Sequence, residues 1–358
     1  MRLKRLGEDA FIKEIERIFR RPSPSTSLRT GFDPSASSGL GTNGKNGRRV
    51  VKGIGDDTAV IEIKKDKLLL STTDTLAEGV HFKTSYAEPH LIGKKALAIS
   101  LSDIAAMGGT PLFFLLSVSL PKTLDNGFVV KLLKGMKDCA TKHKITLIGG
   151  NTTSSSNIII TTTVLGEISR NEVIYRRGAT PGDCVFVTGT IGDSALGLKA
   201  LKKYGKGAVT SKAFGMSAKK HLCPEPRIKA GRLLAQKRLA SAMTDISDGL
   251  IRDLKHITLE SNVGAVVEFE KIPLSKETKD YLRKHPFAVK TILSGGEDYE
   301  LLFTAKPEAE KSIRGISKRL GIRISRIGKI LPKSEGVVVI DEKGRRINVK
   351  KEGFEHFR

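Results

Sequence analysis

Apolar residues at helical spacing mark the start of the chain and several later segments. Phe11, Ile15 and Ile18 form one apolar stripe on a helix predicted over Glu8–Phe19. The same spacing predicts a longer helix over Asn126–His143. The remaining helices are predicted at His90–Met107, Asp193–Lys203, Arg227–Gln236 and Gly249–Ser261.

Short apolar runs bounded by Gly, Pro or Asp predict β-strands between these helices. Val60–Ile63 and Leu68–Thr72 are expected to pair across a turn near Lys65 and Asp66. Strands and helices interleave without a regular βαβα alternation, which favours an α+β fold with mixed sheets over a doubly wound sheet. The other strands are expected at Leu112–Leu120, Ile145–Ile148, Ile158–Ile168, Cys184–Thr188, Ala265–Phe269, Leu301–Thr304, Ser325–Ile330 and Gly336–Ile340.

A segment rich in Ser, Gly, Pro, Thr and Asn separates the first predicted helix from the first strand. Pro22–Arg49 has no periodicity and exceeds the ~12–15 residues usual for a loop, so we expect a disordered insertion. The turn-rich Gly178–Asp183 predicts a later boundary between two units. The expected organisation is an N-terminal helix at 1–21, the insertion at 22–49, an N-terminal α+β domain at 50–170 and a C-terminal α+β domain at 171–358.

Composition is that of a globular protein of about two domains. The chain has 358 residues, of which 39% are hydrophobic and 28% charged. With 62 Lys and Arg against 38 Asp and Glu, its formal net charge is +24, which attracts anionic partners. Trp is absent and aromatic residues make up only 5%, so nucleic-acid binding through stacked bases is not expected.

Signals for secretion, membrane insertion and cysteine chemistry are missing from the sequence. Residues 1–21 lack the apolar core of a signal peptide, and no apolar run approaches ~18 residues. We therefore expect a cytoplasmic protein that does not enter the membrane. The widely spaced Cys139, Cys184 and Cys223 predict free thiols rather than a disulfide framework or a zinc site.

Aspartates beside apolar strands or inside an apolar helix are the candidate reactive groups. Asp74 follows Leu68–Leu70, Asp103 lies within a run of Ala, Leu and Ile, and Asp245 follows Ala242 and Met243. A carboxylate in such surroundings is costly unless it is paired or binds a cation. Oxygen ligands from separate segments suit magnesium, which often bridges carboxylates to phosphates.

Other readings of the polar residues stay open at this point. Asp56 fits a turn, and Asp248 fits the N-cap of the following helix. Gly189–Asp193, a turn between a strand and a helix, either binds an anion or packs tightly with Asp193 as a cap.

Ten short motifs, in a fixed order along the chain, indicate a resemblance to a known family. They are GIGDDTAVI at 53–61, STTDTLAEGVHF at 71–82, KALAISLSDIAAMGG at 95–109, LIGGNTT at 147–153, RRGATPGD at 176–183, VTGTIGDSALGL at 187–198, PEPRI at 224–228, TDISDGL at 244–250, SGGEDYELLFT at 294–304 and GFEHF at 353–357. Through these motifs the chain resembles thiamine-monophosphate kinases, which are members of the aminoimidazole-ribonucleotide synthetase superfamily. The resemblance implies the two-domain fold of that superfamily.

The resemblance also implies a role for each matching residue. Metal-assisted transfer would depend on Asp57, Asp103 and Asp245, with no side chain acting as a general base. The implied magnesium ligands are Asp57, Thr72, Thr73, Asp74, Asp103, Asn151, Asp245 and Asp248. The implied nucleotide contacts are Gly150, Asn151, Arg176 and Ser247. The implied contacts to thiamine phosphate are His81, Glu297 and Phe354.

Two positions depart from the family's motifs. Asn151 stands where the family usually has Asp, which removes one negative charge from an implied metal site. Gly353–Phe357 reads Gly-Phe-Glu-His-Phe where the family usually has Gly-Tyr-Asp-His-Phe, so an aromatic ring is retained at Phe354. The insertion at 22–49 is also foreign to the family pattern.

The activity implied by the resemblance is a phosphoryl transfer. ATP and several magnesium ions would phosphorylate thiamine phosphate to thiamine diphosphate, the last step of thiamine diphosphate biosynthesis, by direct in-line transfer of the γ-phosphate. The family also implies a homodimer joined through the first domain. The alternatives are another ATP-dependent enzyme of the superfamily, such as a synthetase, and a non-catalytic basic protein that binds nucleic acid.

Overall fold

The computed structural model describes residues 17–19, 49–52, 60–62, 67–349 and 353. Two short strands, β1 (Arg49–Lys52) and β2 (Val60–Glu62), pair antiparallel in a sheet of their own. Residues 17–19 are helical, and Ile18 is buried in the core of the first half of the molecule.

A four-stranded sheet forms the centre of that first half. Its strands are β3 (Lys67–Ala77), β4 (Thr110–Leu120), β5 (Thr146–Ser154) and β6 (Ile159–Ser169). The order across the sheet is β3, β6, β4, β5, so that β3 and β5 lie at opposite edges. β6 runs antiparallel to both of its neighbours, and β4 runs parallel to β5.

Two helices, α1 (Pro89–Ala106) and α2 (Asn126–His143), cover one face of this sheet. Alternate strand residues, among them Leu76, Phe114 and Val164, are buried beneath them, as the two-residue period of a strand requires. α1 is buried on most of its circumference, which explains its almost continuous apolar sequence.

Glycines bring α1 and α2 into backbone contact. An ideal Cβ atom on Gly93 of α1 would lie 1.9 Å from the carbonyl oxygen of Leu132 on α2. A Cβ atom on Gly135 of α2 would lie 1.9 Å from the carbonyl oxygen of His90 on α1. Because real contacts are never this short, only glycine fits at either position, and the pair fixes the location of α1.

A six-stranded sheet forms the centre of the second half. Its strands are β7 (Cys184–Thr188), β8 (Ala242–Asp245), β9 (Gly264–Glu268), β10 (Leu301–Ala305), β11 (Ile324–Leu331) and β12 (Val337–Ile340). Their order is β12, β9, β11, β7, β10, β8, and only β12 and β9 pair in parallel. All residues of β7, β8 and β10 are buried, because helices cover both faces of the sheet.

The helices described in this half are of different lengths. They are α3 (Asp193–Tyr204), α4 (Gly215–Leu222), α5 (Ile228–Gln236), α6 (Leu250–Ser261), α7 (Lys276–Lys284), α8 (Val289–Ser294) and α9 (Glu310–Leu320). α3 and α4 share an apolar cluster with α1 and α2. The end of α1 packs on α5, where a Cβ atom on Gly231 would lie 2.1 Å from the carbonyl oxygen of Ala105. The two halves therefore meet along α1.

The α+β prediction, with mixed sheets and flanking helices, is confirmed. The pairing predicted between Val60–Ile63 and Leu68–Thr72 is wrong, because β2 pairs with β1 while β3 pairs along its whole length with the distant β6. Most of the predicted helix Glu8–Phe19, and the insertion at 22–49 except its last residue, lie outside the described residues. The division of the chain near residue 170 stays a prediction. None of the described helices has the length and apolar character to cross a membrane.

Candidate active site

Strand β3 and helix α1 bring polar side chains together on the covered face of the first sheet. Thr72 and Asp74 are two residues apart, so both point towards α1, where Asp103 lies one turn before the end of the helix. The Thr72 hydroxyl donates a hydrogen bond of 2.5 Å to Asp103 Oδ2. Thr73 points to the opposite face, where its hydroxyl accepts a 3.1 Å bond from Thr163 Oγ1. The Thr73 side chain is therefore separated from the aspartates.

The second half of the molecule contributes two further aspartates. Asp245 is the last residue of the edge strand β8 and is only 2% exposed. Asp248 follows in the turn before α6, where Arg252 pairs with its carboxylate at 3.1 Å. Asp74 Oδ2 and Asp245 Oδ2 are both buried, and neither accepts a hydrogen bond from any described residue. These two oxygens lack the partners that buried carboxylates normally have.

Burial and mutual repulsion raise the pKa values of these carboxyl groups. Burial, then the neighbouring Asp103 carboxylate, raise the pKa of Asp74 to about 6. The same two causes, in the same order, raise the pKa of Asp245 well above its usual range. Burial also raises the pKa of Asp103 itself. Carboxyl groups that repel one another in a largely buried site have the composition of a site for hard divalent metal ions.

A second group of acids lies beside Asp248. Burial, then Asp248, raise the pKa of Asp253 to about 7. One Asp253 oxygen accepts hydrogen bonds from the backbone N–H groups of Asp248 (3.1 Å) and Gly249 (3.0 Å). Asp253 therefore caps the start of α6 from within the helix, so the N-cap position expected for Asp248 is instead occupied by Gly249.

One cavity, of about 630 Å³, lies on one side of the aspartates. Thr72, Asp103 and Asp245 line it, as do Arg176 and Arg177 from the loop that precedes β7. The Arg177 guanidinium lies 5.4 Å from the centre of the Tyr175 ring. This first cavity therefore combines acidic metal-type ligands with two arginines and an aromatic ring.

A second cavity has a volume of about 990 Å³. It is lined by Asp74 and Asp248, which belong to the group of aspartates, and also by His81 and Glu297. His81 Nδ1 accepts a 3.1 Å hydrogen bond from the Ala77 backbone N–H. Because β3 supplies Thr72 to the first cavity and Asp74 to the second, the two cavities meet at this strand.

Glu297 is held in the second cavity by charged and polar neighbours. Lys95 Nζ of α1 lies 2.9 Å from Glu297 Oε1, and His221 Nδ1 of α4 lies 3.3 Å from Glu297 Oε2. Burial acts to raise the pKa of Glu297, but the Lys95 ammonium group outweighs it and holds the pKa below its usual value. The Glu297 backbone has φ +65° and donates a 2.7 Å hydrogen bond to the Ser247 carbonyl oxygen.

Backbone N–H groups of the turn Gly189–Asp193 donate to other parts of the protein, Gly189 to the Arg323 carbonyl oxygen and Ile191 to the Pro273 carbonyl oxygen. Asp298 accepts hydrogen bonds from Gly192 N (2.7 Å) and Ser194 N (3.0 Å) at the start of α3. Asp193 is buried and forms an ion pair with Lys220 at 2.6 Å. Tight packing therefore describes this turn better than an anion site does, although Asp298 and not Asp193 is the capping residue.

Two of the predicted nucleotide contacts lie far from the aspartates. Gly150 and Asn151 are exposed residues of β5. The strand register aligns Asn151 with Thr75 of β3 through β4 and β6, three strand spacings or about 14 Å away. A single chain thus brings together Thr72, Asp74, Asp103, Asp245 and Asp248, but not Asn151.

Some predicted site residues lie outside the described residues, and some residues of the site were not predicted from the sequence. Asp57 and Phe354, a predicted metal ligand and a predicted substrate contact, lie outside the described residues. Lys95, His221 and Asp298 were not singled out from the sequence. A lysine in an apolar helix is the same signal that drew attention to Asp103, and it applies equally to Lys95. His221 and Asp298 acquire their partners only through the tertiary fold.

The chain matches AIR synthase related proteins over both halves of the molecule. Residues 55–168 match the N-terminal domain of that group, and residues 180–341 match its C-terminal domain. Among curated relatives, thiamine-monophosphate kinase from Buchnera aphidicola subsp. Acyrthosiphon pisum is 38% identical over 88% of this chain and 95% of its own length. The chain belongs to the thiamine-monophosphate kinase family within these proteins.

Solved structures agree with this placement. The thiamine-monophosphate kinase of Stenotrophomonas maltophilia K279a superposes with a TM-score of 0.76 at 34% identity, covering 83% of this chain and 92% of that one. AaThiL complexed with AMPPCP and TMP superposes with a TM-score of 0.71 at 34% identity. That match covers 100% of this chain and 99% of AaThiL.

Proposed function

We propose that this protein transfers the γ-phosphate of ATP to thiamine phosphate, giving thiamine diphosphate and ADP. The observation that carries the proposal is the meeting of two cavities at a cluster of aspartates, two of whose buried oxygens have no partner among the described residues. A phosphoryl transfer needs this arrangement, because donor and acceptor must approach one centre of charge neutralisation from opposite sides. The complex of AaThiL with AMPPCP and TMP supports the same pair of substrates.

Each cavity suits one substrate. The first cavity would take the nucleotide, because Arg176 presents the planar guanidinium that grips phosphate oxygens. The second would take thiamine phosphate, with His81 and Glu297 around the ring system and, from outside the described residues, Phe354. Ser247, a predicted nucleotide contact, lines the second cavity beside Asp248 and so lies close to the transferring group.

The aspartates fit a magnesium site. Asp74, Asp103, Asp245 and Asp248 offer oxygen ligands only, and two of those oxygens have no partner among the described residues. Burial and then the Asp103 carboxylate raise the pKa values of Asp74 and Asp245. We propose that they hold several magnesium ions, together with Thr72, the Thr73 backbone and Asp57. Bound magnesium would neutralise phosphate charge during the transfer.

The acceptor needs little proton chemistry from the protein. A phosphate monoester is already ionised at neutral pH, so its oxygen attacks without a general base. The residues of the two cavities position the reacting groups and limit the access of water, which would otherwise compete as acceptor. Because ATP is the donor, we expect the protein to act in the cytoplasm.

We further propose that the protein is a homodimer joined through the first sheet. The face of that sheet opposite α1 and α2 carries Leu69, which is 48% exposed, and the part-exposed Leu115 and Leu165 beside a row of threonines. A second copy on this face would bring its β5 edge towards the β3 edge of the first copy. Asn151 and Gly150 would then act in the partner's site. Sedimentation equilibrium should give a dimer, and an active monomer would contradict this part of the proposal.

A direct assay tests the activity. Purified protein with ATP, magnesium and thiamine phosphate should release thiamine diphosphate and ADP in equal amounts, and EDTA should stop the reaction. Free thiamine is the matched control. It should be a poor acceptor, because it lacks the ionised phosphate oxygen that attacks without a general base. Release of orthophosphate without thiamine diphosphate would instead favour a synthetase of the same superfamily.

A further inference from the structure

A buried lysine contacts Glu297, a residue that lines the second cavity, and has no role in the proposed transfer. Lys95 belongs to α1 and is only 2% exposed. Its ammonium group lies 2.9 Å from Glu297 Oε1, and no described group makes a hydrogen bond with it. The ion pair with Glu297 is therefore the contact that compensates for burying this charge.

His221 completes the enclosure of Glu297 from the opposite side. It is 1% exposed and lies 3.3 Å from Glu297 Oε2, while its Nδ1 also shares a 2.9 Å hydrogen bond with Ser194 Oγ. Burial, then the Lys95 charge, keep His221 neutral by lowering its pKa to about 3. Each oxygen of Glu297 thus has its own fixed neighbour, one cationic and one neutral.

The backbone around Glu297 is also constrained. Glu297 and Tyr299 both adopt positive φ, +65° and +49°, a region that side chains other than Gly and Asn seldom occupy. The preceding Gly296 lies so close to the loop before α6 that a Cβ atom would be 2.3 Å from the Ser247 carbonyl oxygen. Backbone strain at Glu297 and Tyr299 and tight packing at Gly296 therefore accompany the direction of the Glu297 carboxylate into the cavity.

Stability alone is a weak explanation for the ion pair. A buried ion pair is often no more stabilising than apolar side chains of the same size, because both charges lose their hydration. Strain and buried charge that concentrate at a cavity wall are typical of sites that bind or react. The pair is thus better explained by what it presents to a ligand.

Helix α1 connects this pair to the transfer centre. Lys95 and Asp103 are eight residues apart on the same helix, which is about 12 Å along its axis. The backbone contact between Gly93 and Leu132 prevents α1 from sliding over α2. One rigid element thus sets the distance between the aspartates and the carboxylate of Glu297.

We infer that Lys95 is a positioning residue for the acceptor: it fixes the Glu297 carboxylate where the ring system of thiamine phosphate binds. This inference rests on the proposed function. It assigns Lys95 a role in binding the acceptor and none in binding the nucleotide, because Lys95 and Glu297 lie on the side of the second cavity. His221 supports the same carboxylate from the other oxygen.

The test is a comparison of Michaelis constants. Lys95→Met should raise KM for thiamine phosphate by about tenfold or more, with KM for ATP within about twofold of wild type and a smaller change in kcat. A purely structural lysine would lower the melting temperature without this split between the two substrates. Lys94→Met, a change at the adjacent part-buried residue of α1, is the matched control and should leave both constants unchanged.

A double variant tests whether Lys95 acts through Glu297. Glu297→Gln should raise KM for thiamine phosphate, and Lys95→Met/Glu297→Gln should raise it no further, because the partner is already lost. The neutral pair also avoids an unpaired buried charge, so this variant keeps the test available if Lys95→Met does not fold. His221→Asn, with Lys95 intact, should raise the same KM by roughly threefold.

Different outcomes test the proposed function and the role of Lys95. Wild-type protein that forms no thiamine diphosphate overturns the proposed function. Active wild-type protein with an unchanged KM for thiamine phosphate in Lys95→Met overturns only the role of Lys95. Multiplicative effects of Lys95→Met and Glu297→Gln would show that Lys95 does not act through Glu297, and would also overturn the inference.

Discussion

Buried acids in this protein are neutralised by different partners, and the differences distinguish structural acids from functional ones. Asp298, whose pKa is raised to about 8 chiefly by burial, accepts backbone N–H bonds at the start of α3. Glu300 accepts two bonds from Arg227, of 2.6 and 2.5 Å, and one from Thr188. Asp74 and Asp245 each keep a buried oxygen with no partner among the described residues. Of these four acids, Asp74 and Asp245 thus keep an oxygen that is available to a metal ion.

Asp103 is the residue where loss of charge should affect turnover most. Asp103→Asn keeps an oxygen for the Thr72 hydroxyl but removes the carboxylate that repels Asp74 and Asp245. We expect kcat to fall by about 100-fold or more at saturating magnesium, as for the loss of a key charge-stabilising group. The melting temperature without metal should be no lower than that of wild type. A variant that keeps over half of the wild-type rate would refute a role for Asp103 in transfer.

His221 should make stability depend on pH. Its pKa is lowered from 6.5 to about 3 in the folded protein, chiefly by burial, so the unfolded chain takes up a proton first as the pH falls. Stability is then lost progressively below about pH 6.5, and His221 alone should cost about 2 kcal/mol between pH 7 and pH 5. Urea unfolding at the two pH values should show this loss in wild type and a smaller loss in His221→Asn. Equal losses in both proteins would contradict a neutral buried imidazole.

Among the elements, α1 matters most to the site. It carries Lys95 towards the second cavity and Asp103 to the junction of the two cavities, and it contacts both halves of the molecule. Its position depends on backbone contact with α2 at Gly93 and Gly135. A small displacement of α1 would therefore change the proposed metal ligands and the proposed acceptor site together.

Substitution of Gly93 tests this dependence. The Cβ atom of Gly93→Ala would lie 1.9 Å from a backbone oxygen that cannot rotate away, so α1 must move. We expect a loss of about 1–3 kcal/mol in unfolding free energy and a lower kcat. Gly315→Ala in α9 is the matched control, because its Cβ atom meets nothing within 4 Å. It should be stabilising by about 0.5–1 kcal/mol, from helix propensity, without a change in activity. Similar melting temperatures for the two variants would refute the packing argument.

Periodicity was sufficient to predict most elements that surround the site. The apolar spacing gave α2 with its observed bounds and α1 to within a residue or so at either end. It failed for β2 and β3, because strand pairing depends on distant partners such as β6 rather than on the intervening turn. It also missed α7, whose residues Lys276–Lys284 are almost entirely polar.

The aspartates were visible in the sequence as charges in apolar surroundings, and the structure brings four of them together. Their division between two cavities was not visible, because it depends on how β8 and α1 meet. Thr73 points to the opposite face from Thr72 and Asp74, and this follows from the two-residue period of a strand once the bounds of β3 are known. The remoteness of Asn151 follows only from the order of strands in the sheet.

At the scale of the whole molecule, a strongly basic chain surrounds an acidic centre. The formal net charge is +24, yet Asp74, Asp103 and Asp245 repel one another where the two halves meet. Magnesium that binds the folded protein should therefore raise its melting temperature. The basic exterior would favour the approach of anionic substrates, and this attraction should weaken with added salt.

Magnesium binding should also depend on pH, because a protonated carboxyl group is a poor ligand. Asp74 has a pKa of about 6, raised by burial and then by Asp103, so it is charged at pH 7.5 and mostly protonated at pH 5.5. The magnesium concentration needed for half of the melting-temperature rise should therefore be higher at pH 5.5. Asp245→Asn should show a smaller rise at either pH. A magnesium effect that is identical in wild type and Asp245→Asn would place the metal elsewhere.

The central claim is that one site passes the terminal phosphate of ATP directly to thiamine phosphate. The most direct measurement follows ATP labelled in its γ-phosphate, in single-turnover reactions with magnesium and thiamine phosphate. The account predicts that the label appears in the terminal phosphate of thiamine diphosphate, in step with an equal amount of ADP. Label released as orthophosphate without thiamine diphosphate, or transfer of a diphosphate with release of AMP, would contradict it.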